Sequence, residues 1–162
     1  MKWFATGLAA VSFFILVSCV QAAETYIRFG EGYLVGLSKN RLAIGNSIGV
    51  NVTAGYQFSK KTALEGDYIN YRQGPSAGFV SLNFSRPDGA WRPRLNMGLG
   101  AIDHKLLGFG IAGKVGAGLS YFYQPISSPE IAIGFETSLI KGTGGVGSFL
   151  YLNNALMFAL HF

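Results

Sequence analysis

The sequence predicts an all-β protein: eight antiparallel strands in up-and-down order, closed into a transmembrane β-barrel. Three observations carry this expectation. Apolar residues recur at every second position in segments of about ten residues. Turn-forming residues fall between those segments. The composition is apolar, rich in glycine and poor in charge: 49% hydrophobic, 14% aromatic and 13% charged, with 23 glycines in 162 residues. No stretch beyond the first twenty or so residues stays apolar for the ~18 positions that a membrane helix needs, so strands must do the spanning. A disordered chain is excluded, because such chains are apolar-poor and highly charged.

The chain opens with a targeting segment. Lys2 supplies a positive start, Leu8 to Val17 an apolar run, and Val20-Gln21-Ala22 a small-residue cleavage pattern. Residues 1–22 are expected to be removed, leaving 23–162 as one barrel domain. Cys19 is the only cysteine, so no disulfide forms within the domain. Either Cys19 is discarded with the leader, or Leu16-Val17-Ser18-Cys19, which resembles the lipobox of bacterial lipoproteins, makes it a lipidated N-terminus.

The strands follow in order. The first, near 25–37, places Ile27, Phe29, Tyr33, Val35 and Leu37 in one phase, but Glu31 shares that phase, and a bulge is expected to restore the register. The clearest strand is 48–58, where Ile48, Val50, Val52, Ala54, Tyr56 and Phe58 oppose Gly49, Asn51, Thr53, Gly55 and Gln57. The same alternation marks 62–71, 78–85, 94–102, 112–123, 130–139 and 151–162. Pro75, Pro87, Pro93, Pro125 and Pro129 all fall in the predicted breaks, as expected for a residue that cannot donate to a ladder.

The large aliphatic faces of eight strands cannot all fit inside a narrow barrel, so they are expected to point outward into lipid. The small and polar faces then line the lumen. There they carry Glu65, Asp67, Arg94, Lys114 and Glu136, with Arg28. Nearly balanced signs point to a mutually paired network that fills the bore, since a buried unpaired charge is costly. A proton or ion path is the alternative. With both ends of the chain on the periplasmic side, the outer loops are 38–43, 72–76, 103–108 and 141–147. Tyr56, Phe58, Phe84, Tyr121, Tyr123 and Phe162 then form the periplasmic aromatic girdle.

These residues resemble the outer-membrane β-barrel superfamily that includes the small OmpA/OmpX-type barrels, over roughly 25–162. The most specific element is Leu156-Met-Phe-Ala-Leu-His-Phe162. Its alternation, ending in a terminal Phe, is similar to the signal read by the barrel-assembly machinery, and assigns Phe158, Leu160 and Phe162 to that role. The resemblance implies the outer membrane of a Gram-negative cell as the location. It implies no particular activity, because one fold hosts many functions.

Little in the sequence suggests chemistry. His104 and His161 fall at opposite ends of the barrel, and no metal or other cofactor is expected. Gly142-Thr-Gly-Gly-Val-Gly147 joins two strands and reads as a flexible outer loop, not a phosphate cradle. Lipid A deacylases of this architecture carry a His-x-Ser pair on a late strand. The corresponding stretch here, Glu136-Thr-Ser138, has no His. Asp103 and His104, in a predicted outer loop, and Ser138 are the weak catalytic candidates. Lys39, Arg41, Arg72, Lys105 and Lys141 gather in the outer loops and suit the phosphates of lipopolysaccharide. Three classes stay open: a non-enzymatic structural or surface-interaction protein, a lipid A-modifying enzyme, and a narrow channel. The expected partners are lipid, lipopolysaccharide and the assembly machinery, with no nucleic acid. The expected state is a monomer.

Overall fold

The computed structural model describes residues 24–37, 46–86, 88–104, 108–123, 130–144 and 147–162. The leader 1–22 with Cys19, Lys39, Arg41, Lys105, and Pro87, Pro125 and Pro129 lie outside them. Eight strands form one closed antiparallel sheet: β1 (Glu24–Gly36), β2 (Ser47–Ser59), β3 (Thr62–Tyr71), β4 (Ser76–Ser85), β5 (Trp91–His104), β6 (Gly108–Tyr123), β7 (Glu130–Gly144) and β8 (Gly147–His161). Each strand pairs with its neighbours in sequence, and β8 returns to β1. The alternation sends Val50, Leu82, Met97, Leu99, Val115 and Leu156 outward and Asn51, Ser81, Asn83, Asn96 and Lys114 inward.

The registers fix the stagger. The row Thr25, Tyr56, Leu64, Leu82, Met97, Val115, Leu139, Leu152 runs once round the sheet and returns to β1 at Val35, ten residues above its start. Such a stagger on eight strands corresponds to a tilt of ~40°. After Thr25, that row is a continuous apolar spiral on the outside. We call the end where β1 starts and β8 finishes the lower end. Phe58, Phe84, Trp91, Tyr121, Tyr123 and Phe162 ring its outer surface.

The structure corrects four expectations. The first strand needs no bulge: β1 pairs without interruption on both sides, and Glu31 points outward with Phe29 and Tyr33. Pro93 lies inside β5, not in a break. Its carbonyl accepts from Arg86 N at 3.1 Å, so its missing N–H faces the same edge, where the β4 ladder has already ended at Ser85–Arg94. Several strands run further than the alternation predicts. In particular β7 continues through Gly142-Thr143-Gly144 because Ile111 and Ser148 pair with Thr143 on either side; the ladder overrides the poor strand preference of glycine. Finally, the lumen is not polar throughout. Its upper half is packed with Leu34, Ile69, Tyr71, Phe79, Ile102, Ile140, Phe149 and Tyr151. On β8, where Phe149, Leu150, Tyr151 and Leu152 follow one another, both strand faces are apolar and the period-two signal disappears.

Glycines make room for the inward rings. A Cβ on Gly55 would lie 2.1 Å from the Tyr26 ring, and one on Gly142 would lie 2.5 Å from the Phe149 ring. Each of these glycines is the cross-strand partner of the ring that covers it.

Depth should govern the cost of an outward charge. Met97→Lys, halfway up the apolar wall, is expected to destabilise the barrel by ~2–4 kcal/mol, and Phe109→Lys, at the upper end of β6, by about 0–1 kcal/mol. Reversible urea unfolding in phospholipid vesicles measures both, and equal costs would show that Met97 does not face lipid.

Candidate functional site

Halfway up the lumen, seven strands deliver a polar cluster to one point. Tyr26 and Arg28 come from β1, Thr53 from β2, Glu65 and Asp67 from β3, and Ser81 and Asn83 from β4. Arg94 and Asn96 come from β5, Lys114 from β6 and Glu136 from β7. All are inward positions of their strands, which is why alternation alone brings them together. Arg28 bridges two carboxylates, with Nη2 2.7 Å from Glu65 Oε1 and Nη1 3.2 Å from Glu136 Oε2. Arg94 also binds Glu136 Oε2. Lys114 Nζ lies 2.5 Å from Asp67 Oδ2 and 3.8 Å from Glu136 Oε1. Three cations thus meet three carboxylates, and the network is neutral.

Uncharged groups add to the coordination. Asp67 accepts from the Thr53 and Ser81 hydroxyls, each at 2.7 Å. Glu65 accepts from Asn83 Nδ2 at 2.5 Å and from the Tyr26 hydroxyl. Glu136 Oε1 accepts from Asn96 Nδ2 at 2.9 Å. These bonds offset part of the desolvation of the buried charges, while Glu65 Oε2, Arg28 Nε and Arg94 Nε are buried without a hydrogen-bond partner among the described residues.

Above the network the apolar plug closes the bore, and Lys114 Nζ lies 5.8 Å from the centre of the Phe79 ring at the junction. A cavity of about 10 Å³ beside Asp67, Lys114 and Glu136 is room for little more than one water. Below the network a vestibule of about 50 Å³ opens at the lower end. Its aromatic rim is His161 stacked on Tyr26 at 4.8 Å and packed against Phe122 at 5.0 Å. Arg92 lies 3.8 Å over Phe122 and 3.6 Å from Glu130.

Glu65, Asp67, Arg94, Lys114, Glu136 and Arg28 therefore share one buried site. Tyr26, Thr53, Ser81, Asn83 and Asn96 belong to it too and were not singled out from the sequence; their inward phase at the same level was the available signal. The weak catalytic candidates do not converge. Asp103 and His104 lie on β5 itself, not in a loop, because β5 pairs with β6 as far as His104–Gly108. As consecutive strand residues they face opposite sides, Asp103 exposed and His104 buried. Ser138 is opposite Gly116, eight residues along β6 from the partner of His104, a separation of roughly 26 Å at the rise of a strand. Of the basic residues, Arg72 is exposed in the connection after β3. Lys141 is on β7, not in a loop, and points outward near its upper end.

The exposed apolar wall, the closed sheet and the filled polar centre together decide the architecture. The chain is a small β-barrel of the outer-membrane type. It is similar to Neisserial surface protein A, at 16% identity and a TM-score of 0.60, over 85% of this chain and 95% of that one. A de novo designed transmembrane β-barrel matches at 16% identity and a TM-score of 0.58, over 88% of this chain and 98% of that one. The attachment invasion locus protein Ail of Yersinia pestis, in complex with the heparin analogue sucrose octasulfate, matches at 15% identity and 0.52, over 88% of this chain and all of that one. No protein-family model matches the sequence, and no curated protein matches it. A designed barrel matches almost as well as a natural one, so these likenesses speak for the fold.

Lys114→Ala should cost about 3–5 kcal/mol, because it leaves Asp67 buried with its cation gone. Adding Asp67→Asn should recover part of the loss by removing the stranded charge. Denaturant unfolding of the three proteins checks this; no recovery in the double variant would mean that Lys114 acts by packing alone.

Proposed function

We propose that this barrel is a non-enzymatic protein of the bacterial outer membrane that acts through its outward rim, and that the rim engages lipopolysaccharide. The observation that carries the reading is the double closure of the lumen, by a neutral ion network and by the apolar plug above it. A bore blocked twice offers no path for solute, which disfavours a channel. The separation of Asp103, His104 and Ser138 leaves a deacylase without an assembled triad among the described residues. The outer rim is open to a partner. There Arg72 and Lys141 are exposed, and Lys39, Arg41 and Lys105 belong to the same group in the sequence. Cationic side chains at the headgroup level are natural partners for phosphates. For assembly, we propose that Phe158 and Leu160 on the outward face of β8, together with Phe162 just after it, are read by the barrel-assembly machinery.

Lipopolysaccharide added to phospholipid vesicles should raise the unfolding midpoint of the wild type, because a ligand that binds only the folded state stabilises it. Arg72→Glu with Lys141→Glu should shrink that rise and leave the midpoint in phospholipid alone nearly unchanged. An equal rise in both proteins would remove the rim from the interaction. The lipid A mass profile should be the same with and without the protein, and loss or gain of an acyl chain would favour the enzyme reading. In planar bilayers the wild type should show no stable conductance.

Removing Phe162 should lower the outer-membrane yield far more than His161→Ala does. Equal yields of folded barrel would rule out the terminal ring as a recognition element.

A further inference from the structure

Glu31 breaks the pattern of the outer wall. It is exposed on β1 between Phe29 and Tyr33, with Val50 of β2 and Leu156 of β8 across from it. Val35 and Leu37 continue the apolar face above, so Glu31 is not at the rim. It lies six residues above Thr25, whose partner Tyr56 is one outward position above Phe58 of the lower aromatic ring. At the rise and tilt of these strands that places it ~15 Å up an apolar band that is about 25 Å tall. Asp103 and Lys141, the other charges on outward strand positions among the described residues, both lie within four residues of an upper strand end.

Glu31 has polar company on the same wall. Asn154 of β8 pairs with Tyr33, one outward position above the Leu156 that faces Glu31. Asn154 pairs on its other side with Thr137 of β7, whose hydroxyl donates to Asn154 Oδ1 at 2.9 Å. That bond fixes the amide and leaves its Nδ2 hydrogens for another acceptor. Following the registers, Thr137, Asn154 and Glu31 fall within roughly 3 Å of one depth on three adjacent strands. A polar island thus stands in the lipid-facing wall, with an acceptor at one side and a fixed donor at the other.

We propose that this island is the contact of a symmetric dimer, in which Glu31 of each copy accepts from Asn154 of the second copy. The depth argument selects a second copy as the occupant. Two barrels inserted in the same direction are related by an axis along the membrane normal, which keeps every residue at its own depth. Reciprocal pairing of Glu31 with Asn154 therefore requires the two to lie at equal depth and side by side, as they do here. Polar side chains that meet across lipid-facing surfaces drive association, because their alternative is hydrocarbon. Phe29, Tyr33, Phe135 and Leu156 surround the island and supply the packing around it. The proposed dimer differs from the monomer expected from sequence, and it is independent of any contact with lipopolysaccharide.

Single-molecule photobleaching of the labelled full chain in phosphatidylcholine vesicles, over a range of protein-to-lipid ratios, tests this. The wild type should show two-step bleaching that rises with protein density. Glu31→Leu should weaken association roughly tenfold, and Asn154→Leu by a similar factor. The double variant should associate no more weakly than either single one, since both remove the same bond. Heat-modifiable migration should persist in all three variants, which separates lost association from lost folding. A wild type that stays monomeric at every ratio would overturn the proposal, and so would folded Glu31→Leu that associates as tightly as the wild type.

Discussion

The structure depends on one pairing, that of β8 with β1. A sheet in hydrocarbon has no water to satisfy its edges, and each unpaired backbone group there costs several kcal/mol. The ladder from Tyr26–His161 to Gly36–Tyr151 removes both edges at once. It also sets the ten-residue stagger; a slip of one residue would turn the apolar face of one strand into the lumen, so only even staggers keep both apolar faces out. Stagger and strand number then fix the tilt and the bore. The other features of the molecule are responses to a bore of that size.

The bore is filled in two ways. In the middle, side chains of opposite charge meet in a cluster that is neutral as a whole, and five neighbours supply further hydrogen bonds to its carboxylates. Above it, rings and aliphatic chains pack as they would in a soluble core. Aromatic residues fit only because glycine lies across from them, as at Tyr26 with Gly55 and Phe149 with Gly142. The many glycines are therefore part of the packing: they are the space into which the rings fold. Cation and ring meet where the two fillings join, at Lys114 and Phe79.

Alternation made the eight strands, their order and the lipid-facing side legible in the sequence, since each strand keeps a large apolar face over most of its length. Legibility failed where the inner face also becomes apolar. Leu139 is followed by Ile140, and Phe149, Leu150, Tyr151 and Leu152 run without a polar break, so the upper parts of β7 and β8 carry no period. Pro93 was unreadable for another reason: whether a strand tolerates proline depends on what its neighbour does at that level, here the end of β4. The charged members of the central cluster could be read from their phase. Tyr26 shares that inward phase, but a large ring on the lumen side is expected only once a glycine is known to lie across from it, as Gly55 does. Asp103 and His104 looked like a loop pair because two adjacent polar residues carry no strand signal. Register alone shows that they face opposite ways.

The closing pair also brings the two ends of the ladder together: Phe162 N donates to Thr25 O at 2.8 Å. The barrel is therefore, in its geometry, a ring without a privileged break. Joining those ends through a short linker and opening the chain at the tight turn between Ser59 and Thr62 would give a circular permutant with the same eight ladders, the same stagger and the same filled centre. In that molecule β2 would be the last strand and β3 the first, and the terminal ring of β8 would sit in mid-chain. In the natural order the closure of the sheet falls beside Phe162, and the topology of the closed sheet does not require that it fall there.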